Sequence, residues 1–339
     1  MTARDAFTTQ MAARIEAVLA PLLPRGRPVA LANFPNHNNP GDNAIWLGAK
    51  ALLRRLGVPV GYACSPRTFD AATMQRAIGD GPLLLNGGGN FGDVYRGQQD
   101  LREHVLANCT DRPIIQLPQS IWFREPENAA RVRRLCTSHP AFTLIVRERP
   151  SARAAIDVLG VRPLLAPDLA LALGPMRRRV APRLPLLWLG RHDAETADRP
   201  APPPDVPLVD WVQAPEDDAF SASARAKLAE NRRLTQLAAG DPQAGRDAAV
   251  TFDPLARAWL ARGLDILGSA HVIVTDRLHA HALATLLGIE HVVLDNANGK
   301  VRSVFEAWTG ASGLAHWAET TGEAVAIARR LVSGLSSAA

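Results

Sequence analysis

Short apolar runs recur along this chain, and most of them empty into a loop rich in glycine, asparagine or charge, followed by a stretch of helical period. That alternation is the pattern of parallel sheets covered by helices on both faces. In the first half the expected strands are residues 28–31, 58–62, 82–86, 113–117, 142–146 and 162–166. In the second half they are 184–189, a strand near 208–212, 271–275 and 291–294. Helices are expected over 5–20, along the face Ile45, Trp46, Ala49, Leu52, Leu53 and Leu56, over 221–238, over 278–287, and last over about 318–333, with no strand after it. Residues 174–183, rich in Pro and Arg and without helical period, read as a linker. A length of 339 residues also suggests about two domains. The simplest architecture is α/β, with two Rossmann-like domains, 1–175 and 184–339, facing across a cleft. Ligands of such sheets bind outside the carboxyl ends of the strands, so the loops there are the candidate site.

Composition removes several alternatives. No apolar stretch approaches the ~18 residues of a spanning helix, and the start, Met1-Thr2-Ala3-Arg4-Asp5, leads into a mixed helix and not a signal segment. Cys64, Cys109 and Cys136 are odd in number and scattered, which suits a reducing cytoplasm and makes neither a disulfide framework nor a zinc set. The 38 basic and 33 acidic residues leave a net charge of +5. Only Lys50, Lys227 and Lys300 are lysines, so arginine supplies nearly all the positive charge. A compositional bias of the source accounts for most of that. Some arginines can still be forks for phosphate or carboxylate, which lysine cannot replace. Acids and arginines are intermixed, without the basic stripe and interleaved aromatics of a nucleic-acid binder.

Five loops carry the unusual residues. In Asn39-Pro40-Gly41-Asp42-Asn43-Ala44-Ile45, Asp42 stands at the N-cap position of a helix, where backbone N–H groups can meet an anion; a plain cap reads equally well. Gly87-Gly88-Gly89-Asn90-Phe91-Gly92-Asp93 follows a buried strand and lets a ligand approach bare backbone. It matches G-x-G-x-x-G by letter, but it follows the third strand and not the first, with no acid on a second strand, so a nicotinamide site is disfavoured. A tight structural turn stays open beside a phosphate or sugar loop. Arg147-Glu148-Arg149-Pro150-Ser151 puts charge at a strand end, with Ser151 able to cap the next helix; a surface ion pair is the alternative. In Thr275-Asp276-Arg277-Leu278-His279-Ala280-His281 an acid, a guanidinium fork and an imidazole follow a strand within four residues. His279 and His281 lie about 200° apart around a helix, so both cannot face one metal ion. A histidine beside arginine and aspartate at a helix start suits acid–base work. Asp295-Asn296-Ala297-Asn298-Gly299-Lys300 ends the series with one of the three lysines, or with a solvated turn.

Taken in order, Asn39–Ile45, Gly87–Asp93, Val146-Arg147-Glu148, Pro167-Asp168-Leu169-Ala170, Thr275–His279 and Leu294-Asp295-Asn296 with Gly299-Lys300 resemble the polysaccharide pyruvyl transferase family over roughly residues 28–310. The resemblance implies a fold like the two-domain GT-B glycosyltransferases. It also implies transfer of pyruvate from phosphoenolpyruvate to a sugar, usually as a cyclic ketal; arginines can offset the donor's charge, so no metal or other cofactor is expected. By position, His279 would be the proton-transfer residue, and Arg147, Arg277 and Lys300 would hold the donor. Asp42, Gly88, Gly89, Asn90 and Asp93 would contact substrate from the other half. The acceptor is a glycan or a lipid-linked oligosaccharide; the latter would bring a cytoplasmic protein to the inner membrane face. Residues 213–255 match nothing in the family pattern. A nucleotide-sugar glycosyltransferase on the same fold and a non-catalytic polysaccharide-biosynthesis protein are the alternative readings.

Overall fold

A computed structural model describes residues 3–193, 195–212, 229 and 242–336. The alternation foreseen in the sequence becomes two wholly parallel sheets. The first is built from β1 (Val29–Ala32), β2 (Val60–Ala63), β3 (Leu83–Leu85), β4 (Gly88–Gly92), β5 (Ile114–Trp122), β6 (Phe142–Val146) and β7 (Leu164–Leu165). Its order is β2-β1-β3-β5-β6-β7, with β4 pairing the far half of β5. The second contains β8 (Leu184–Leu189), β9 (Leu208–Val209), β10 (Ala270–Thr275), β11 (Glu290–Val293) and β12 (Ala315–Trp317), in the order β12-β11-β10-β8-β9. Every pairing is parallel. Strands buried on both faces explain the uninterrupted Leu, Ile and Val runs.

Among the described residues the helices are α1 (Ala3–Leu19), α2 (Pro40–Arg55), α3 (Ala71–Ile78), α4 (Arg96–Asn108), α5 (Pro126–Ser138), α6 (Arg149–Asp157), α7 (Pro242–Gly268), α8 (Leu278–Leu287), α9 (Lys300–Val304) and α10 (Thr321–Ser336). One apolar core joins Leu31 and Ile145 of the first sheet to Leu187, Leu189 and Ile273 of the second, through α1, α2, α7 and α8. At its centre Phe34 stacks on Phe252 of α7 with ring centroids 4.3 Å apart and meets Trp46 of α2 edge-on at 5.0 Å.

Helix α2 shows how local signals place these elements. Asn39 caps it by accepting the Gly41 N–H at 3.0 Å, Pro40 fills the first position, and Arg54 and Arg55 face the negative end. The expected cap, Asp42, is instead a first-turn residue. Gly48 of α2 lies against the backbone of Leu169 so closely that a Cβ there would overlap the Leu169 carbonyl. Gly48→Ala is therefore expected to cost about 3 kcal/mol or more, read as a lowered midpoint in thermal or urea unfolding.

Other expectations shift for identifiable reasons. The glycine run is not a free loop: Gly88–Gly92 forms β4, with Gly88 opposite Gln119 and Gly92 opposite Trp122. Ser151 does not cap α6. It lies inside the helix, where its hydroxyl accepts the Ile121 N–H at 2.8 Å and donates to Glu148. The strand β12 precedes the last helix and extends the second sheet, a partner the sequence reading lacked. The helix expected over 221–238 lies, apart from Ala229, outside the described residues.

Candidate active site

Arg147 directly follows β6, and it is buried. Its Nε donates to Ser120 Oγ at 2.8 Å and its Nη1 to Asp168 Oδ2 at 2.6 Å, while Glu148 lies 3.7 Å away. Burial works against the guanidinium charge, but Asp168 and Glu148 more than offset it and raise its pKa above the ordinary arginine value. Asp168 opens the 3-10 turn Leu169–Leu173, accepting the Ala170 N–H at 2.8 Å. Burial alone would raise its carboxyl, yet His279 and Arg147 together hold it well below the usual carboxylate range. Glu148 goes the other way: burial raises its pKa despite Arg147.

His279 enters from the second sheet, on the first turn of α8. Its Nε2 lies 3.4 Å from Asp168 Oδ2 and 3.5 Å from Arg147 Nη1. A proton on Nε2 therefore has a carboxylate to point to. The other flank of the ring rests on Gly41 of α2, where a Cβ would come within 2.5 Å of His279 Cβ and Nδ1. Arg277 is the residue before α8. It donates from Nε to the Gly190 carbonyl at 2.9 Å and from Nη2 to both oxygens of buried Asp210 at 2.6 Å. Lys300 begins α9 and pairs with Glu195 at 3.0 Å. A Cβ on Gly89 would stand 3.2 Å from Arg147 Nη2 and 3.5 Å from Lys300 Nζ, so two cations from opposite sheets close over this bare backbone.

These groups surround one cavity of about 400 Å³, which His279, Arg147, Arg277, Lys300, Asp42, Gly89 and Asn90 all line. Asp42 receives Asn39 Nδ2 at 2.9 Å and lies 3.4 Å from His37 Nε2. Two expected contacts lie elsewhere. Gly88 is packed against Ile45 and Gln119 behind the cavity wall. Asp93 accepts the Arg124 and Glu125 N–H groups at 2.9 and 2.8 Å, serving the turn before α5 and not the cavity. Asp276 is buried, and burial raises its carboxyl pKa. The residues the sequence reading missed are partners. Asp168 and Asp210 sit under the arginines, and Arg191 lines the cavity while pairing with Asp193 and Glu195 at 2.9 and 3.0 Å.

His281 faces away from His279, as the helical spacing requires. His291 Nδ1 can only donate to the Ile289 carbonyl (2.7 Å), which leaves His291 Nε2 to accept from His281 Nδ1 (2.7 Å) and His281 Nε2 to accept the Thr309 hydroxyl (2.5 Å). The bonds run in this direction with both rings neutral, the form that burial favours. Burial lowers both pKa values, that of His291 to about 4 from 6.5. Unfolding frees both to protonate below about 6.5, so their stabilisation is complete above that pH and falls away below it, in the case of His291 as pH approaches about 4. Urea unfolding is expected to show about 2 kcal/mol less stability near pH 5 than near pH 7.5 from His291 alone.

The fold and cavity define a class: an α/β protein with two parallel sheets, whose strand ends gather arginines, a lysine and an aspartate-bound histidine around one pocket. Comparison with known proteins narrows it. A sequence model described as polysaccharide pyruvyl transferase matches residues 39–298. The chain is 33% identical to pyruvyl transferase 1 of Schizosaccharomyces pombe over 292 residues, 83% of this chain and 69% of that one. It is 27% identical to putative pyruvyl transferase EpsO of Bacillus subtilis over 301 residues, 86% of this chain and 88% of that one. A crystal structure of a functionally uncharacterized protein from Klebsiella pneumoniae shares the fold, with a TM-score of 0.58 and 17% identity over 91% of this chain and 99% of that one. The chain belongs to the polysaccharide pyruvyl transferase family, and so to the transferases.

Proposed function

We propose that the protein transfers the pyruvyl group of phosphoenolpyruvate to a sugar of an exopolysaccharide or of its lipid-linked precursor, closing a pyruvate ketal on two hydroxyls. The observation that carries this reading is the meeting of Arg147, His279 and Asp168 beside Lys300 over Gly89. Phosphoenolpyruvate bears a phosphate and a carboxylate, and Arg147, Arg277 and Lys300 supply forked and point cations for the two. Each cation has a carboxylate partner in this structure, so an incoming anion exchanges with Glu195 at Lys300 and adds to the unengaged edges of the arginines. The cationic side chains offset the donor's charge, so the reading requires no metal ion.

In this mechanism His279 gives its proton to the methylene carbon of the donor. The adjoining carbon becomes oxocarbenium-like, and a sugar hydroxyl adds there as the imidazole takes back a proton. A second hydroxyl then displaces phosphate, and its proton leaves with that group. The products are the ketal and inorganic phosphate. Asp168, held ionised, stabilises the charged imidazole between these steps.

In this reading the two sheet units are the halves of a GT-B-like cleft, with 174–183 as the linker. The reaction runs on the cytoplasmic side, and a lipid-linked acceptor would bring the protein to the inner membrane face. Among the described residues no helix is long and apolar enough to cross a membrane. The test is incubation with phosphoenolpyruvate and candidate lipid-linked oligosaccharides. Phosphate should appear together with a product heavier by one pyruvate less one water. Phosphate release with no such product, or no release with any acceptor, refutes the reading.

A further inference from the structure

Among the described residues, only two Phe, Tyr or Trp side chains are exposed on the surface, Tyr95 at 41% and Trp122 at 47%. Both border the same small cavity of about 180 Å³. It opens into the candidate active site, since Gly89, Asn90, Tyr95, Glu195 and Lys300 line both spaces. Exposed aromatics on an otherwise polar surface mark a binding face.

The surroundings are built to hold that face. Trp122 ends β5 directly opposite Gly92, whose positive φ of 146° and closeness to the Trp122 backbone admit no side chain. Asp93 ties down the next turn through the Arg124 and Glu125 N–H groups, which gives a use to a residue the active site leaves aside. Asn90 is set by groups behind it. Its Oδ1 accepts from Arg102 Nη2 at 2.9 Å and from Gln119 Nε2 at 2.5 Å, so its amide nitrogen is the end left to a ligand. Arg102 is completely buried and lies 4.3 Å over the Phe91 ring. Arg124 and Asn298 complete a polar rim.

We propose that this cavity is a saccharide subsite, in which the sugar next to the one receiving pyruvate stacks on Trp122 and Tyr95. A pyranose has an apolar C–H face for the rings and hydroxyls at its edge for Asn90, Arg124 and Asn298. The acceptor is then at least a disaccharide. The proposal rests on the transfer reading above for its place in the reaction, but its binding can be read separately.

The test uses Trp122→Ala, Trp122→Phe and Tyr95→Ala, all at exposed positions, in two measurements. In the first, kcat/KM is measured for neutral mono-, di- and trisaccharide acceptors at saturating phosphoenolpyruvate. The longer acceptors should be favoured about tenfold, roughly the weight of an aromatic stacking contact. Trp122→Ala should erase that preference, Trp122→Phe should keep part of it, and the KM for phosphoenolpyruvate should stay within about twofold. The second measures binding to an array of di- to tetrasaccharides without donor, so that it reads out even if no pyruvyl transfer is found. Binding that Trp122→Ala abolishes supports the subsite. The proposal is overturned by absence of array binding, by binding or length preference that Trp122→Ala leaves intact, or by the same variant weakening binding to UDP, GDP or anionic vesicles instead.

Discussion

His279→Ala is expected to lower kcat for phosphoenolpyruvate-dependent transfer by about 10²–10⁴, the usual worth of one positioned acid–base group. The affinity for phosphoenolpyruvate should change far less, because Arg147 keeps its 2.6 Å bond to Asp168 and Arg277 its bonds to Asp210. The fold should also survive, since the ring fills a hollow against Gly41 and carries no backbone bond. Single-turnover rates and donor binding on the same variant decide the point. A near-normal turnover would remove His279 from the chemistry, and a lost affinity with an intact rate would make it a binding group.

The second large effect concerns stability as well as rate. Arg147→Ala leaves Asp168 and Glu148 buried without their cation, a change typically worth about 3–5 kcal/mol. Donor binding should collapse along with it, since this guanidinium faces Gly89 in the cavity. The pH dependence identifies the cause. In the native protein the Asp168 carboxyl lies well below the ordinary range because His279 and Arg147 outweigh burial. Without Arg147 both carboxyls lose a cation that opposes burial and move up from their native positions, Asp168 still held by His279, so the variant takes up protons on folding more readily than the native protein. The stability gap between variant and native protein should therefore narrow as pH falls from 7 towards about 5, measured by urea unfolding. A gap that stays constant would assign the loss to packing. Arg147→Lys should recover part of the stability but little of the activity, because a single ammonium does not reproduce separate donors to Ser120 and Asp168 with a third nitrogen over Gly89.

The sequence showed the alternation of strands and helices because buried parallel strands are apolar throughout and their ends are polar. For the same reason Arg147, Arg277, His279 and Lys300 could be picked out: each follows a short apolar run by a few residues. Their partners could not. Asp168 pairs with residues 21 and 111 positions away, and Asp210 lies 67 before Arg277, just past the short strand β9. Linear spacing carries no signal for such pairs; only the order of Pro167-Asp168 within the family pattern hinted at the first. Asp42 lines the cavity as expected, but the cap is Asn39, and Asp93 serves a backbone turn, because an acid just after a strand reads alike whether it faces a ligand, a neighbouring side chain or a turn. The long helix α7 escaped notice because Pro254 interrupts it. The short strand β12 has only three residues on which to show alternation.

Gly41 and Gly48 lie seven residues apart on α2, two turns, and so on nearly the same face of that helix. One notch receives the His279 imidazole from the second sheet. The other receives Leu169, the neighbour of the aspartate that the imidazole approaches. A single rod thus gauges the spacing between His279 and Asp168 through main-chain clearances, which have no rotamers to search. A site gauged in this way is assembled before any ligand arrives, so donor association should proceed in one kinetic phase, with no slow rearrangement following capture.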